Sequence, residues 1–395
     1  MRIPIEAYTL TSALGAGLDA TADALWQSRS GLTKNDFPHS GLDTCIGRVA
    51  QADGYVWPDG HERWHSRNNA LTAIGLMQDG FFDVVAQARD RYGRHRVGIV
   101  IGTSTSSIGR TEEGYRDLID DARMPDAFHQ PEVHNPHSPS AYVAHLCDLG
   151  GPQITVSTAC ASSARVFASA ARWLALDLVD AVVVGGVDSL CLSVLHGFNS
   201  LELLSPSPCR PFDKGRDGIN LSEAAGFALL LQEGHTPTSG AFLSGYGESG
   251  DAWHMSHPHP EGYGAELAMR GAIDVAGLEA AQIGYINLHG TASQANDDVE
   301  AHVLARVFDE KTLASSTKGW TGHALGAAGI VESVIALLAL RDQKVPGTLN
   351  LNEPDPEFPF SIQRDSVDRP LNHVMTNSFG FGGSNCSLVF SAGAA

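Results

Sequence analysis

Of the six cysteines in this chain, Cys160 stands where nucleophilic chemistry is easiest to arrange. The stretch ITVSTACASSARVFASAARWLAL reads as a strand that gives way at Cys160 to a helix beginning near Ala161. Free N–H groups at a helix start favour thiolate over thiol and offer donors to a developing oxyanion. The flanking Ala159, Ala161, Ser162 and Ser163 are small and leave room for a substrate. A buried structural cysteine is the commoner fate of such a residue, so the rest of the chain has to supply a nucleophile's partners.

Four further motifs offer them. NLHGTASQANDDVE puts His289 at the end of a strand, ahead of a polar loop with Thr291 and Ser293 and a helix carrying Asp297 and Glu300. STKGWTGHALGAAG puts Lys318 five residues before His323 on a second strand-to-helix turn. NSFGFGGSN, around Phe379 and Phe381, is a glycine-rich turn whose backbone can approach a ligand closely. RPFDKGRDGINLSEAAG is the fourth. His289 and His323 lie 34 positions apart with no third ligand at metal spacing, so no metal is expected. His254, His257 and His259 fall in WHMSHPHP, whose two prolines mark a loop rather than a metal site.

The elements that must position these residues alternate short β-branched runs with Ala-rich helices, the pattern of an α/β fold. Strands are expected over 96–102, 154–158, 181–185 and 225–231, and again over 284–289, 313–316, 374–378 and 386–390. In each set a strand runs into a Ser-Thr turn and then a nearly apolar helix, ASSARVFASAARWLAL or ALGAAGIVESVIALLAL. Both helices are expected to be buried between sheets. The repeat predicts an internal duplication, with halves 1–240 and 241–395 and no flexible linker between them, because GAFLSGYG (240–247) continues as a strand; only the AGAA terminus reads as disordered.

Composition narrows the partners. A net charge of −19 argues against nucleic acid, which needs a large positive field. A small anionic partner needs only a local patch, for which Arg63, Arg67, Arg210, Lys214 and Arg216 are the candidates. No window reaches the roughly 18 apolar residues of a membrane span, and the cysteines lack zinc or disulfide-scaffold spacing. A cytoplasmic protein with reduced thiols is expected.

Cys160 in TACASSA, His289 in HGTAS, Lys318 and His323 in TKGWTGHALGAAG, and the SFGFGGSN turn resemble the elongating β-ketoacyl-acyl carrier protein synthases, a branch of the thiolase-like enzymes. The resemblance covers nearly the whole chain. It implies duplicated α/β halves in a five-layered αβαβα sandwich. It also implies that Cys160 takes an acyl chain from the phosphopantetheine arm of an acyl carrier protein, with its own N–H and that of Phe381 as the oxyanion hole. His289 and His323 would hold the malonyl thioester carbonyl while CO2 leaves. Lys318 would be buried and paired with Glu300, with Asp297 in the same network. Thr291 and Ser293 would contact pantetheine, Ser293 standing where the family usually has Thr; Phe379 and His254 would lie beside the substrate channel. The segment GTSTSSIG (102–109), with Thr105, would line the end of the acyl pocket, where its small polar side chains imply a different or longer pocket; this segment and the N-terminal IEAYTLTSALG (5–15) resemble the aryl polyene branch. No bound cofactor is implied. The implied partners are acyl carrier protein and a second ketosynthase-like chain, either a copy or a chain-length-factor homologue, joined through the edge strand before Cys160. Two rivals fit less well. A non-catalytic chain-length factor would lack the nucleophile, and a degradative thiolase would carry a second cysteine where this chain has Phe381-Gly382-Gly383.

Overall fold

A computed structural model describes residues 1–118 and 123–393; Ala394 and Ala395, in the terminus expected to be disordered, lie outside them. Ten strands carry the architecture: β1 (Ile3–Ser12), β2 (Val97–Gly102), β3 (Gln153–Val156), β4 (Ala181–Asp188), β5 (Ala224–Leu231), β6 (Ala241–Gly250), β7 (Tyr285–Asn287), β8 (Leu313–Ser315), β9 (His373–Gly380) and β10 (Ser384–Ala392). The first five run in the order β3-β2-β4-β5-β1 and the last five in the order β8-β7-β9-β10-β6. Pairing sense matches strand for strand as well: two parallel ladders, then two antiparallel ones, in each set. The sets meet edge to edge where β1 pairs antiparallel with β6, Ile3 opposite Leu243.

Alternation along the strands explains the layering. Side chains of successive residues point to opposite faces, so Ala181 and Val183 of β4 enter one apolar cluster while Val182 and Val184 enter another. In the second set, Val374 of β9 joins the central cluster and Met375 a third, outer one. Both faces of each set are therefore covered, and strands of this kind read as continuous apolar runs. The central layer holds two helices, α1 (Ser162–Ala175) and α3 (Ala328–Asp342).

These two helices are less alike than their sequences suggest. From Ala328 to Leu340 every residue of α3 is buried. The helix α1 instead carries a polar stripe, where Arg165 meets Glu248 of β6 at 2.7 Å and Arg172 meets the same carboxylate. The two arginines keep their charges in partial contact with solvent and their stems on the protein, so an apolar all-round reading fails there. β1 went unforeseen, because a run that begins Ile-Pro-Ile-Glu-Ala offers no clear alternation. All six cysteines are free and buried. Among the described residues no helix is long and apolar enough to cross a membrane.

Candidate active site

The chain turns sharply from β3 into α1, and Cys160 is the residue presented at that turn. Ala159 adopts φ of 50°, a left-handed conformation that costs a non-glycine residue energy and recurs at functional sites. Ser162 fixes the turn: its Oγ accepts from the Thr158 N–H at 2.9 Å and donates to the Ala159 carbonyl at 2.5 Å. From the other side the Phe379–Gly383 turn packs directly against it. A Cβ on Gly380 would lie 2.8 Å from the Thr158 carbonyl oxygen, so only glycine permits the approach. This contact brings the Phe381 N–H, together with that of Cys160 itself, to the Cys160 sulfur.

Burial pushes the Cys160 thiol up to about 11, against the pull of Lys318 and the Phe381 N–H. The helix start was expected to favour thiolate; desolvation of a fully buried sulfur outweighs it. Alkylation by iodoacetamide should therefore rise about tenfold per pH unit between pH 7 and 9, following the thiolate fraction. A rate that levels off near neutrality would show that the thiol is already ionised.

His289 follows β7, and its backbone is held by Glu300 from α2 (Gln294–Val307). Glu300 accepts from the N–H of His289 at 2.9 Å, from the N–H of Gly290 at 2.8 Å and from the Asn377 side chain at 3.2 Å. The buried Lys318 was expected to pair with this carboxylate. It pairs instead with Glu332 of α3, and it also donates to the His289 carbonyl oxygen. Glu300 is already occupied by backbone donors, whereas Glu332 is the one charged residue within the apolar run of α3 and has no other use for its charge. That isolation was the signal in the sequence. Asp297 sits in the neighbouring network, accepting from Phe212 N–H at 2.8 Å and from Asn296 Nδ2 at 3.1 Å, an amide that also faces Glu300 at 3.4 Å.

Tautomers follow from these contacts. Lys318 Nζ lies 3.4 Å from His289 Nδ1, which must therefore accept, leaving the proton on Nε2. Nδ1 of His323 accepts from the Leu325 N–H at 3.0 Å, with the same result. Burial and the Lys318 charge hold His289 well below the usual imidazole range and bring His323 down to about 3. Both rings are thus neutral donors, 5.5 Å apart and nearly perpendicular.

Sequence spacing showed no third metal ligand, yet the fold brings one ligand atom each from Cys160, His289 and His323 within 4.8 Å of one another. The charge beside this trio opposes a divalent cation, since Lys318 touches His289, and the buried thiol favours its proton. The three instead face a cavity of about 480 Å³ that Thr291, Ser293 and Phe379 also line. His257 lines it too, whereas His254 does not; His254 is exposed on the loop and faces His257 at 3.1 Å. Thr105 borders a separate cavity of about 220 Å³, and its hydroxyl donates to Asp188 at 3.2 Å.

The basic set expected to form a docking patch comes apart. Arg67 is bound by Glu223 and Asp53, with its Nε 2.8 Å from Glu223. Arg216 is buried between Asp298 and Asp355. Arg210 pairs with Asp217 at 3.3 Å, Arg63 lies 3.8 Å from Glu132, and Lys214 is exposed. Arg67 and Arg216 are structural ion pairs rather than docking residues.

Residues 72–235 match the family model for the beta-ketoacyl synthase N-terminal domain, and residues 240–352 that for the C-terminal domain. The 3-oxoacyl-[acyl-carrier-protein] synthase 2 of Vibrio harveyi is 36% identical, with 98% of each chain covered. The mitochondrial 3-oxoacyl-[acyl-carrier-protein] synthase of Arabidopsis thaliana is 39% identical over 76% of this chain and 69% of its own. Among solved structures, a chain of the ketosynthase ApeO in complex with its chain length factor ApeC, from Xenorhabdus doucetiae, superposes with a TM-score of 0.88 at 36% identity, covering 99% of this chain and 98% of the other. A β-ketoacyl synthase from Burkholderia phymatum gives a TM-score of 0.88 at 27% identity, with both chains fully covered.

Proposed function

The chain belongs to the β-ketoacyl synthases, and we propose that it runs their condensation through Cys160, His289 and His323 in two half-reactions. It is an acyltransferase of the thiolase-like fold that elongates chains carried on the phosphopantetheine of acyl carrier protein. In the first half-reaction Cys160 attacks the acyl thioester, its thiol proton passing to the departing pantetheine sulfur. In the second, the Nε2–H groups of His289 and His323 donate to the malonyl thioester oxygen while the carboxylate leaves as CO2. The enolate carbon then attacks the acyl carbonyl on Cys160. The N–H groups of Cys160 and Phe381 take up the tetrahedral oxyanion, and its collapse expels the Cys160 thiolate with the β-ketoacyl product on the carrier.

The observation that carries this reading is the convergence of one nucleophile and two neutral imidazole donors within 4.8 Å. Incubation with acyl- and malonyl-carrier protein should leave an acyl adduct on Cys160, visible by mass spectrometry and absent from Cys160→Ala. An adduct that survives the substitution sinks the assignment.

The same reading extends to partners. Arg63, Arg210 and Lys214 remain candidates for carrier docking, and a cytoplasmic setting suits a carrier-dependent enzyme. The edge strand β3, half-buried at Ile154, Thr155 and Val156, is taken to pair with a second ketosynthase-like chain. The similarity to the ApeO and ApeC complex favours a chain-length-factor homologue as that partner. A division into halves near residue 240 accords with the repeated strand order. Assignment to the aryl polyene branch rests on the N-terminal segment 5–15 and the polar segment 102–109.

A further inference from the structure

Asp188, at the end of β4, is fully buried and takes no part in the chemistry described above. Its carboxylate nevertheless gathers five donors from two separate loops. Oδ1 accepts from the Thr103 hydroxyl at 2.7 Å and from the Thr105 N–H and hydroxyl, both at 3.2 Å. Oδ2 accepts from the Ser104 N–H at 2.8 Å and from the Gly326 N–H at 2.6 Å. One loop, Thr103 to Thr105, lines the smaller cavity. The other continues directly from His323.

That second connection matters because of how His323 gets its tautomer. Its Nδ1 is made an acceptor by the Leu325 N–H, and Leu325 holds φ of 55°, a conformation that a branched side chain adopts only when its surroundings enforce it. The next residue, Gly326, is the one that Asp188 grips. The grip is close enough that a Cβ on Gly326 would lie 2.6 Å from Asp188 Oδ2 and 2.5 Å from the Ser104 nitrogen. An acceptor-only carboxylate suits five converging donors.

We propose that Asp188 is a positioning residue: by clamping Gly326 it holds Leu325 in its strained conformation and so fixes the His323 Nε2–H toward the substrate, while tying that turn to the loop beside the smaller cavity. The proposal rests on His323 acting in the second half-reaction. Cys160 and its oxyanion hole lie outside this clamp, so the two half-reactions should respond differently.

The test measures both in Asp188→Asn, which replaces one acceptor oxygen by a donor, and in Gly326→Ala, which forces the clamp apart with the carboxylate intact. His323→Ala serves as the reference. Acylation of Cys160 by acyl-carrier protein, followed by mass spectrometry per folded molecule, should stay within about twofold of the parent. Decarboxylation of malonyl-carrier protein by the acylated enzyme should fall at least about tenfold in both variants, as it does in His323→Ala, the order expected for a misplaced donor. Equal loss in both half-reactions, or loss in neither, overturns the proposal when His323→Ala still blocks decarboxylation. Normal decarboxylation in His323→Ala would overturn the role of His323 itself.

Discussion

In His323→Ala, Cys160 should still take up its acyl chain while condensation falls by about 10²- to 10³-fold, the range measured when one oxyanion donor is removed. His289→Ala should behave alike, because both rings present an Nε2–H and neither is needed for the transfer of the first thioester. The double variant should fall by less than the product of the single losses, since two donors to one oxygen act as a unit. Acid should spare this step. A histidine whose folded value lies below its free value stays neutral until the pH reaches the folded one, and His323 is held down to about 3. Single-turnover condensation from the preformed acyl-enzyme should therefore show no loss centred near pH 6.5, where a free imidazole titrates. A clear inflection there would mean that one ring carries a proton at neutral pH and that its role is different.

What the sequence disclosed about this site depended on how local each signal was. Cys160, His289 and His323 lie on strand-to-helix turns, and such turns are legible because apolar runs end abruptly in small and polar residues. Most of the foreseen strands are buried on both faces and read as apolar runs, as β2 and β4 do; the edge strand β3 was legible although half-buried, and β1, though mostly buried, was not, because its run is interrupted by Pro4 and Glu6. The ion pairs could not be paired from spacing. Glu300 stands 18 positions before Lys318 and Glu332 stands 14 after it, so separation favoured neither. The decision lies in three dimensions, where backbone N–H groups saturate Glu300 and the apolar surroundings of α3 leave Glu332 waiting for a cation. Clustering in sequence misled in the same way at Arg67 and Arg216, because carboxylates far along the chain, Glu223 and Asp355, neutralise them. The thiol of Cys160 showed the reverse weakness. Its helix start was visible in the sequence, but its desolvation is a property of the whole packed centre.

Glu332→Ala should be the most damaging single change outside the reacting residues. Lys318 is buried, and the substitution leaves its charge with only the His289 carbonyl oxygen as a short partner. Removing one member of a buried pair costs about 3–5 kcal/mol, measurable as a lower midpoint in urea unfolding. Replacing both members with apolar residues of similar size, as in Lys318→Met with Glu332→Leu, should recover most of that loss, because no uncompensated charge remains. Activity should not recover with it. Without Lys318 beside Nδ1, the His289 ring has no nearby charge to keep that nitrogen an acceptor, and its Nε2–H is no longer assured toward the thioester. The double variant is thus expected to be stable and to acylate Cys160, yet to decarboxylate malonyl-carrier protein at least about tenfold more slowly than the parent. A stable double variant that condenses at the parent rate would confine the pair to folding and remove Lys318 from the chemistry.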